Sequence, residues 1–289
     1  MSANDLQDNL QKNKNSILNE GNLLGSLPFV HDQFLLFGDS ITQSDGDPTL
    51  GFSCYQALQH DYSRRIDFVK RGFSGYNTVN ALSILPRIIP NPEQGRVRLI
   101  SIFFGPNDIS LPDTTGQHVP LQVFEENLRR LVEHPKIQAH ENIRVLLITP
   151  PPIDEWGFDH WDEPGRSART AVTAQQYAVG VKNAGEEMGV AVVDLWGACM
   201  REATVGWNAS LRNECSVELL MPGDKRAERS DVLARLLYDG LHLSGDGYKI
   251  LYQEIKKTII QAYPELRPSK IPVALEPFFP EWFEDNAPW

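Results

Sequence analysis

The sequence predicts an α/β fold: one doubly wound domain built on a five-stranded parallel sheet. Two observations carry this expectation. Five short apolar runs are spread along the chain, the first closing on glycine. Five longer stretches, with apolar residues recurring on a helical period, lie between and after them. Strand and helix therefore alternate, and connections of this length are helical crossovers between parallel neighbours.

The first run is Phe34-Leu-Leu-Phe-Gly38, apolar throughout, as a strand covered on both faces should be. Ile66–Lys70, Arg98–Gly105, Arg144–Thr149 and Val190–Leu195 follow the same rule. Helices are expected over Phe52–Arg64 and over Thr78–Ile89, the latter with Val79, Leu82 and Leu85 on one face. Val123–Pro135 repeats Phe124, Leu128, Leu131 and Val132; Ala168–Met188 repeats Ala174, Ala178, Val181 and Met188; Tyr248–Tyr263 repeats Leu251, Ile255, Ile259 and Ala262.

Residues 1–30, rich in Asn, Gln, Ser and Lys, read as a mobile arm, and 31–266 as the domain. Residues 267–289 form an aromatic tail with Phe278, Phe279, Trp282, Phe283 and Trp289. Such a tail packs on the body or on a partner, as a lid or a homodimer contact. Two long segments interrupt the alternation, the aromatic Pro150–Pro164 and the polar Arg201–Leu236. Trp156, Phe158 and Trp161 either line a pocket or anchor their loop, and the charged run Asp224–Glu228 reads as a solvated loop.

With 289 residues the chain is long enough for one well-buried domain. Its net charge of -11 repels phosphate backbones and anionic lipid, which argues against nucleic-acid partners and membrane insertion. No stretch reaches the roughly 20 apolar residues that span a bilayer. Asp5 and Asp8 interrupt the N-terminus, unlike a secretory signal. Cys54, Cys199 and Cys215 are scattered and odd in number, which fits free thiols in a reducing compartment. A soluble cytoplasmic protein is the expectation.

Four polar motifs stand at strand ends or helix starts, where open parallel sheets build their sites. Gly38-Asp-Ser40-Ile-Thr follows the first strand, Gly72-Phe-Ser-Gly75-Tyr-Asn-Thr78 the second and Gly105-Pro106-Asn107-Asp108 the third. Asp239-Gly-Leu-His242 precedes the last helix. Any one of these is an ordinary turn; the set in this order is specific. A serine hydroxyl needs a base to take its proton, and His242 is suited to that near neutral pH. Asp239, three residues earlier, can fix the imidazole tautomer. The oxyanion formed by attack needs preorganised donors, and the candidates are the backbone N–H of Ser40, the backbone N–H of Gly75 and the side-chain amide of Asn107. Asn107 serves only if its NH₂, and not its carbonyl, faces that charge. Asp108 reads as a support for its loop.

These blocks resemble the SGNH (GDSL-type) hydrolases, in order and spacing, from about Phe34 to Tyr263. Phe34–Thr42, Arg71–Thr78 and Asp239–Tyr248 are most similar to the isoamyl acetate-hydrolysing esterase branch. The resemblance implies a three-layer α/β/α sandwich, no metal or other cofactor, and hydrolysis of small acetate-type esters. It places Ser40, Asp239 and His242 in the catalytic roles and Ser40, Gly75 and Asn107 in the oxyanion hole. Pro106, the N-terminal arm and the Arg201–Leu236 stretch depart from that branch.

His60, His118, His134 and His140 have no site context. His160 with Asp162 and Glu163 lacks the spacing of a metal site. An acyltransferase, or a sugar or lysophospholipid deacylase, would use the same residues. A binding module would lack a nucleophile or a base, and here both are present.

Overall fold

The computed structural model describes residues 32–158, 168–205, 207 and 220–271. The arm (1–30), His160, Trp161, Asp162, Glu163 and Cys215 lie outside them, as do the Phe158 side chain and the tail beyond Ile271. Five parallel strands form one sheet: β1 (Asp32–Gly38), β2 (Asp67–Gly72), β3 (Arg96–Phe103), β4 (Arg144–Ile148) and β5 (Ala191–Val193), in the order β2-β1-β3-β4-β5. Strand order reverses at β1, so the tips of β1 and β3 flank the switch point, where open sheets of this type place their sites.

The alternation within each strand sorts its side chains into two cores. Phe34 and Leu36 of β1, Leu99 and Phe103 of β3 and Leu146 and Ile148 of β4 enter one. Leu35 and Phe37, Ile100 and Ile102, and Val145 and Leu147 enter the other. The first core is covered by α2 (Cys54–Asp61), α8 (Leu195–Ala203) and α10 (Gly245–Ala262). The second is covered by α3 (Thr78–Ile88), α4 (Leu121–Val132) and α7 (Ala171–Met188). The result is a three-layer α/β/α sandwich with both sheet faces buried. Among the described residues no helix is long and apolar enough to cross a membrane.

Local chemistry starts the helices where the pattern does. Ser53 accepts from Gln56 N–H, Asn77 and Asn80 form a capping box, and so do Thr170 and Thr173. The described residues also form short helices α1 (Ser40–Ser44), α5 (Pro135–Gln138), α6 (Glu155–Phe158) and α9 (Asp231–Leu236), too small to show a periodic stripe in the sequence.

Three sequence expectations are corrected. Arg201–Leu236 is not one polar loop: α8 runs through Ala203 and α9 occupies its end. Asp194 caps α8 by accepting from Gly197 N–H, which also stops β5 at Val193. Within the same stretch Asp224 is buried and paired with Arg226 at 2.7 Å, so it is no solvated residue. On α3 the buried residues are Thr78, Ala81 and Leu85, while Val79 is exposed; Ala262 at the end of α10 is exposed as well.

Candidate active site

The β1 strand ends at Gly38, and the chain turns at once into α1. Asp39 caps that helix by accepting from Ile41 N–H at 2.9 Å, which sets Ser40 as its first residue. The N–H groups of a first turn have no partner within their own helix. Tyr248 of α10 donates its hydroxyl to Ile41 O at 2.6 Å and so ties this turn to the helix that follows His242.

The tip of β2 lies against the same turn. Phe73 N–H donates to Gly38 O at 2.9 Å and Ser74 N–H to the Gln43 side chain at 2.9 Å. At Gly72 a Cβ would stand 2.1 Å from the Gln43 backbone nitrogen, so only glycine permits this approach. Gly75 takes φ +78°, and its N–H makes no hydrogen bond among the described residues, leaving it as an available donor.

His242 arrives from a turn held shut on both sides. Leu237 and Leu243 form an antiparallel bridge, and Tyr238 N–H donates to His242 O at 3.1 Å. One oxygen of Asp239 accepts from the N–H groups of Leu241 (3.0 Å) and His242 (2.7 Å), and the other lies 2.6 Å from His242 Nδ1. His242 Nε2 lies 2.8 Å from Ser40 Oγ, across 202 residues of chain. For Nε2 to accept the serine proton, Nδ1 must carry its own proton and donate to Asp239. Burial pushes the Asp239 carboxyl up, but the His242 side chain, the two backbone donors and the imidazole charge outweigh it and hold it below the ordinary range. Residues after β4 buttress the turn: Asp154 N–H donates to Gly240 O at 2.9 Å, and Gly157 of α6 packs against Gly240. Trp156 leaves this helix 40% exposed, outside the core.

Asn107, at the tip of β3, is 4% exposed and its Nδ2 donates to Tyr76 O at 2.9 Å. Its neighbour Asp108 does support the loop, by accepting from the N–H (3.0 Å) and hydroxyl (2.5 Å) of Thr78. Asn127 of α4 donates to that hydroxyl at 3.0 Å. Burial raises Asp108 to about 6. Two side chains absent from the motif set join this cluster. Arg169, from the residues just before α7, donates to Pro106 O at 2.6 Å and to Asn107 Oδ1 at 3.3 Å. Gln117 bridges Asn107 Oδ1 (3.1 Å) and Gly75 O (2.8 Å). Neither carried a motif, because both reach the site through tertiary packing alone. Tyr238 was likewise unmarked; its half-exposed ring stacks on the imidazole, with centroids 5.8 Å apart.

The other histidines among the described residues stand elsewhere. His140 is buried and satisfied by Val97 N–H and Pro90 O, His134 caps α5, His118 bonds Ser110 O and His60 is exposed.

Asp39 is fully buried, and its second carboxyl oxygen has no partner among the described residues. Burial raises it to about 7, against the pull of Ile41 N–H and His242. A carboxyl raised on folding binds more protons in the folded chain, so its stabilising contribution is complete below the ordinary carboxylate range and is lost as pH rises toward about 7. Asp39→Asn keeps the acceptor for Ile41 and removes the ionisation. The melting temperature of the variant relative to wild type is therefore expected to rise between about pH 4 and pH 8. A difference that stays flat over that range would contradict the buried-acid assignment.

Comparison with known proteins agrees with the blocks. A model of the GDSL-like Lipase/Acylhydrolase family matches residues 36–250. The chain is 34% identical to a GDSL esterase/lipase of Arabidopsis thaliana, over 84% of this chain and 90% of that protein. It is 30% identical to the isoamyl acetate-hydrolyzing esterase of Saccharomyces cerevisiae, over 85% and 93% respectively. Among solved structures, the lipase/acylhydrolase from Enterococcus faecalis shares the fold with a TM-score of 0.55 at 22% identity, covering 84% of this chain and 98% of that one.

Proposed function

The chain belongs to the GDSL-like lipase/acylhydrolase family and is a carboxylic ester hydrolase; on that premise we propose that it hydrolyses small acetate-type esters through an acyl-enzyme on Ser40. The observation that carries this reading is the 2.8 Å contact between Ser40 Oγ and His242 Nε2, with Asp239 behind the ring at 2.6 Å. Ser40 Oγ attacks the ester carbonyl as its proton passes to Nε2. The carbonyl oxygen becomes an anion, received by the N–H groups of Ser40 and Gly75 and the amide of Asn107; one such donor contributes about 3–4 kcal/mol. His242 then protonates the departing alcohol. In the second half His242 takes a proton from water as the water oxygen attacks the acyl carbon; the bond to Ser40 Oγ then breaks, the proton passes from His242 to Oγ, and the acid leaves.

The preference for small acyl groups is supported by the similarity to the yeast isoamyl acetate-hydrolyzing esterase over nearly its whole length. The test is kcat/KM across p-nitrophenyl esters from acetate to decanoate. The expected profile peaks at the shortest acyl chains; a maximum at octanoate or decanoate would overturn the substrate class.

A further inference from the structure

An asparagine amide is nearly symmetric in shape, so burying Asn107 does not decide which end faces the substrate. The structure decides it through a chain of one-way hydrogen bonds. An arginine offers donors only. Arg169, 5% exposed, donates through Nη2 to Gln117 Oε1 at 3.0 Å and to Asn107 Oδ1 at 3.3 Å. With its oxygen taken by the guanidinium, Gln117 must turn its NH₂ the other way. That NH₂ meets two acceptors, Gly75 O at 2.8 Å and Asn107 Oδ1 at 3.1 Å. Asn107 Oδ1 is thus held by two donors, and its Nδ2 spends one hydrogen on Tyr76 O at 2.9 Å. The second Nδ2 hydrogen is left for a ligand. The loop bearing Gln117 is itself fixed, since Asn77 Nδ2 donates to Gln117 O at 2.9 Å.

We propose that Arg169 and Gln117 are positioning residues that set the polarity of the Asn107 amide, so that its N–H and not its carbonyl meets the oxyanion. The inference rests on the oxyanion role given to Asn107 above. The guanidinium also draws electron density from the Asn107 carbonyl, which strengthens the opposite N–H as a donor. Because Gln117 Nε2 holds Gly75 O as well, one side chain fixes the orientation of one proposed donor and the backbone of another.

The test compares Gln117→Glu, Arg169→Met and Asn107→Ala, and each of the first two combined with the third, by kcat and KM for p-nitrophenyl acetate. Gln117→Glu is isosteric but places an acceptor where Asn107 Oδ1 and Gly75 O need a donor. Asn107→Ala is expected to lower kcat about 10²–10³-fold. Gln117→Glu and Arg169→Met are each expected to lower it at least about ten-fold with KM within about three-fold, the pattern of a lost transition-state contact. In the Asn107→Ala background Arg169→Met should cost under about two-fold more, because it acts through the amide already removed, and Gln117→Glu should cost less than it does alone, keeping only its effect through Gly75 O. Thermal melts identify folded variants; should Arg169→Met not fold, the half-buried Gln117→Glu carries the test. Wild-type kcat in both single variants, beside a depressed Asn107→Ala, would overturn the inference alone. So would penalties that multiply in the double variants. Wild-type kcat in Asn107→Ala would instead overturn the oxyanion role itself, and the inference with it.

Discussion

Ser40→Ala is expected to lower kcat for p-nitrophenyl acetate by about 10⁵–10⁶-fold while leaving the protein folded. The size follows from the mechanism: without the hydroxyl there is no acyl-enzyme, and the remaining donors can only assist attack by water. Folding should survive because, among the described residues, Ser40 Oγ bonds only His242 Nε2, and that imidazole keeps some contact with solvent, at 22% exposure. The loss of one partly exposed hydrogen bond costs about 1 kcal/mol. An organophosphate should add one adduct to the wild-type chain at Ser40 and none to the variant. Turnover above a few per cent of wild type, or an adduct on another residue, would remove Ser40 from the mechanism.

The second large effect is expected at Asp239→Asn. The asparagine oxygen still accepts from Leu241 and His242 N–H, so the turn is retained. Its NH₂ now faces Nδ1, which must give up its proton and move it to Nε2. That nitrogen can then only donate to Ser40 Oγ and cannot take its proton. Mispairing of this kind costs about 10³–10⁴ in kcat. A loss smaller than about ten-fold would show that the turn backbone alone orients His242 and that the carboxylate is dispensable. The substitution also removes a carboxyl held below its ordinary range. Such a group stabilises the fold above that range and loses its contribution as pH falls through its folded value. The melting-temperature gap between wild type and Asp239→Asn should therefore narrow on acidification.

Much of this arrangement is legible in the amino-acid order because it follows local rules. Buried parallel strands are continuous apolar runs, so β1, β3 and β4 stand within a residue or two of where Phe34, Ile100 and Leu147 announce them. Helix α4 shows its buried face in Phe124, Leu128, Leu131 and Val132, a wide and unambiguous stripe. Helix α3 is harder, since a small buried Ala81 carries less signal than the exposed Val79 beside it. Helix α8 begins on an Asp194 cap directly after a strand of three residues, which blurs strand into helix. Arg169 and Gln117 could not be read at all: 52 residues apart, they meet only through the docking of α7 against the rest of the domain. Polarity of an amide is likewise a property of its neighbours in space and leaves no trace in spacing.

The 202-residue separation of Ser40 from His242 has a consequence for biosynthesis. All five strands precede Asp239, so a growing polypeptide has its entire sheet before the acid–base turn exists. On the proposed mechanism, the serine is an ordinary alcohol until that turn has been translated and docked. Catalytic competence thus arrives late, as a by-product of finishing the fold, and a cut anywhere between the sheet and Leu237 that frees the distal piece would return the molecule to its inert juvenile form.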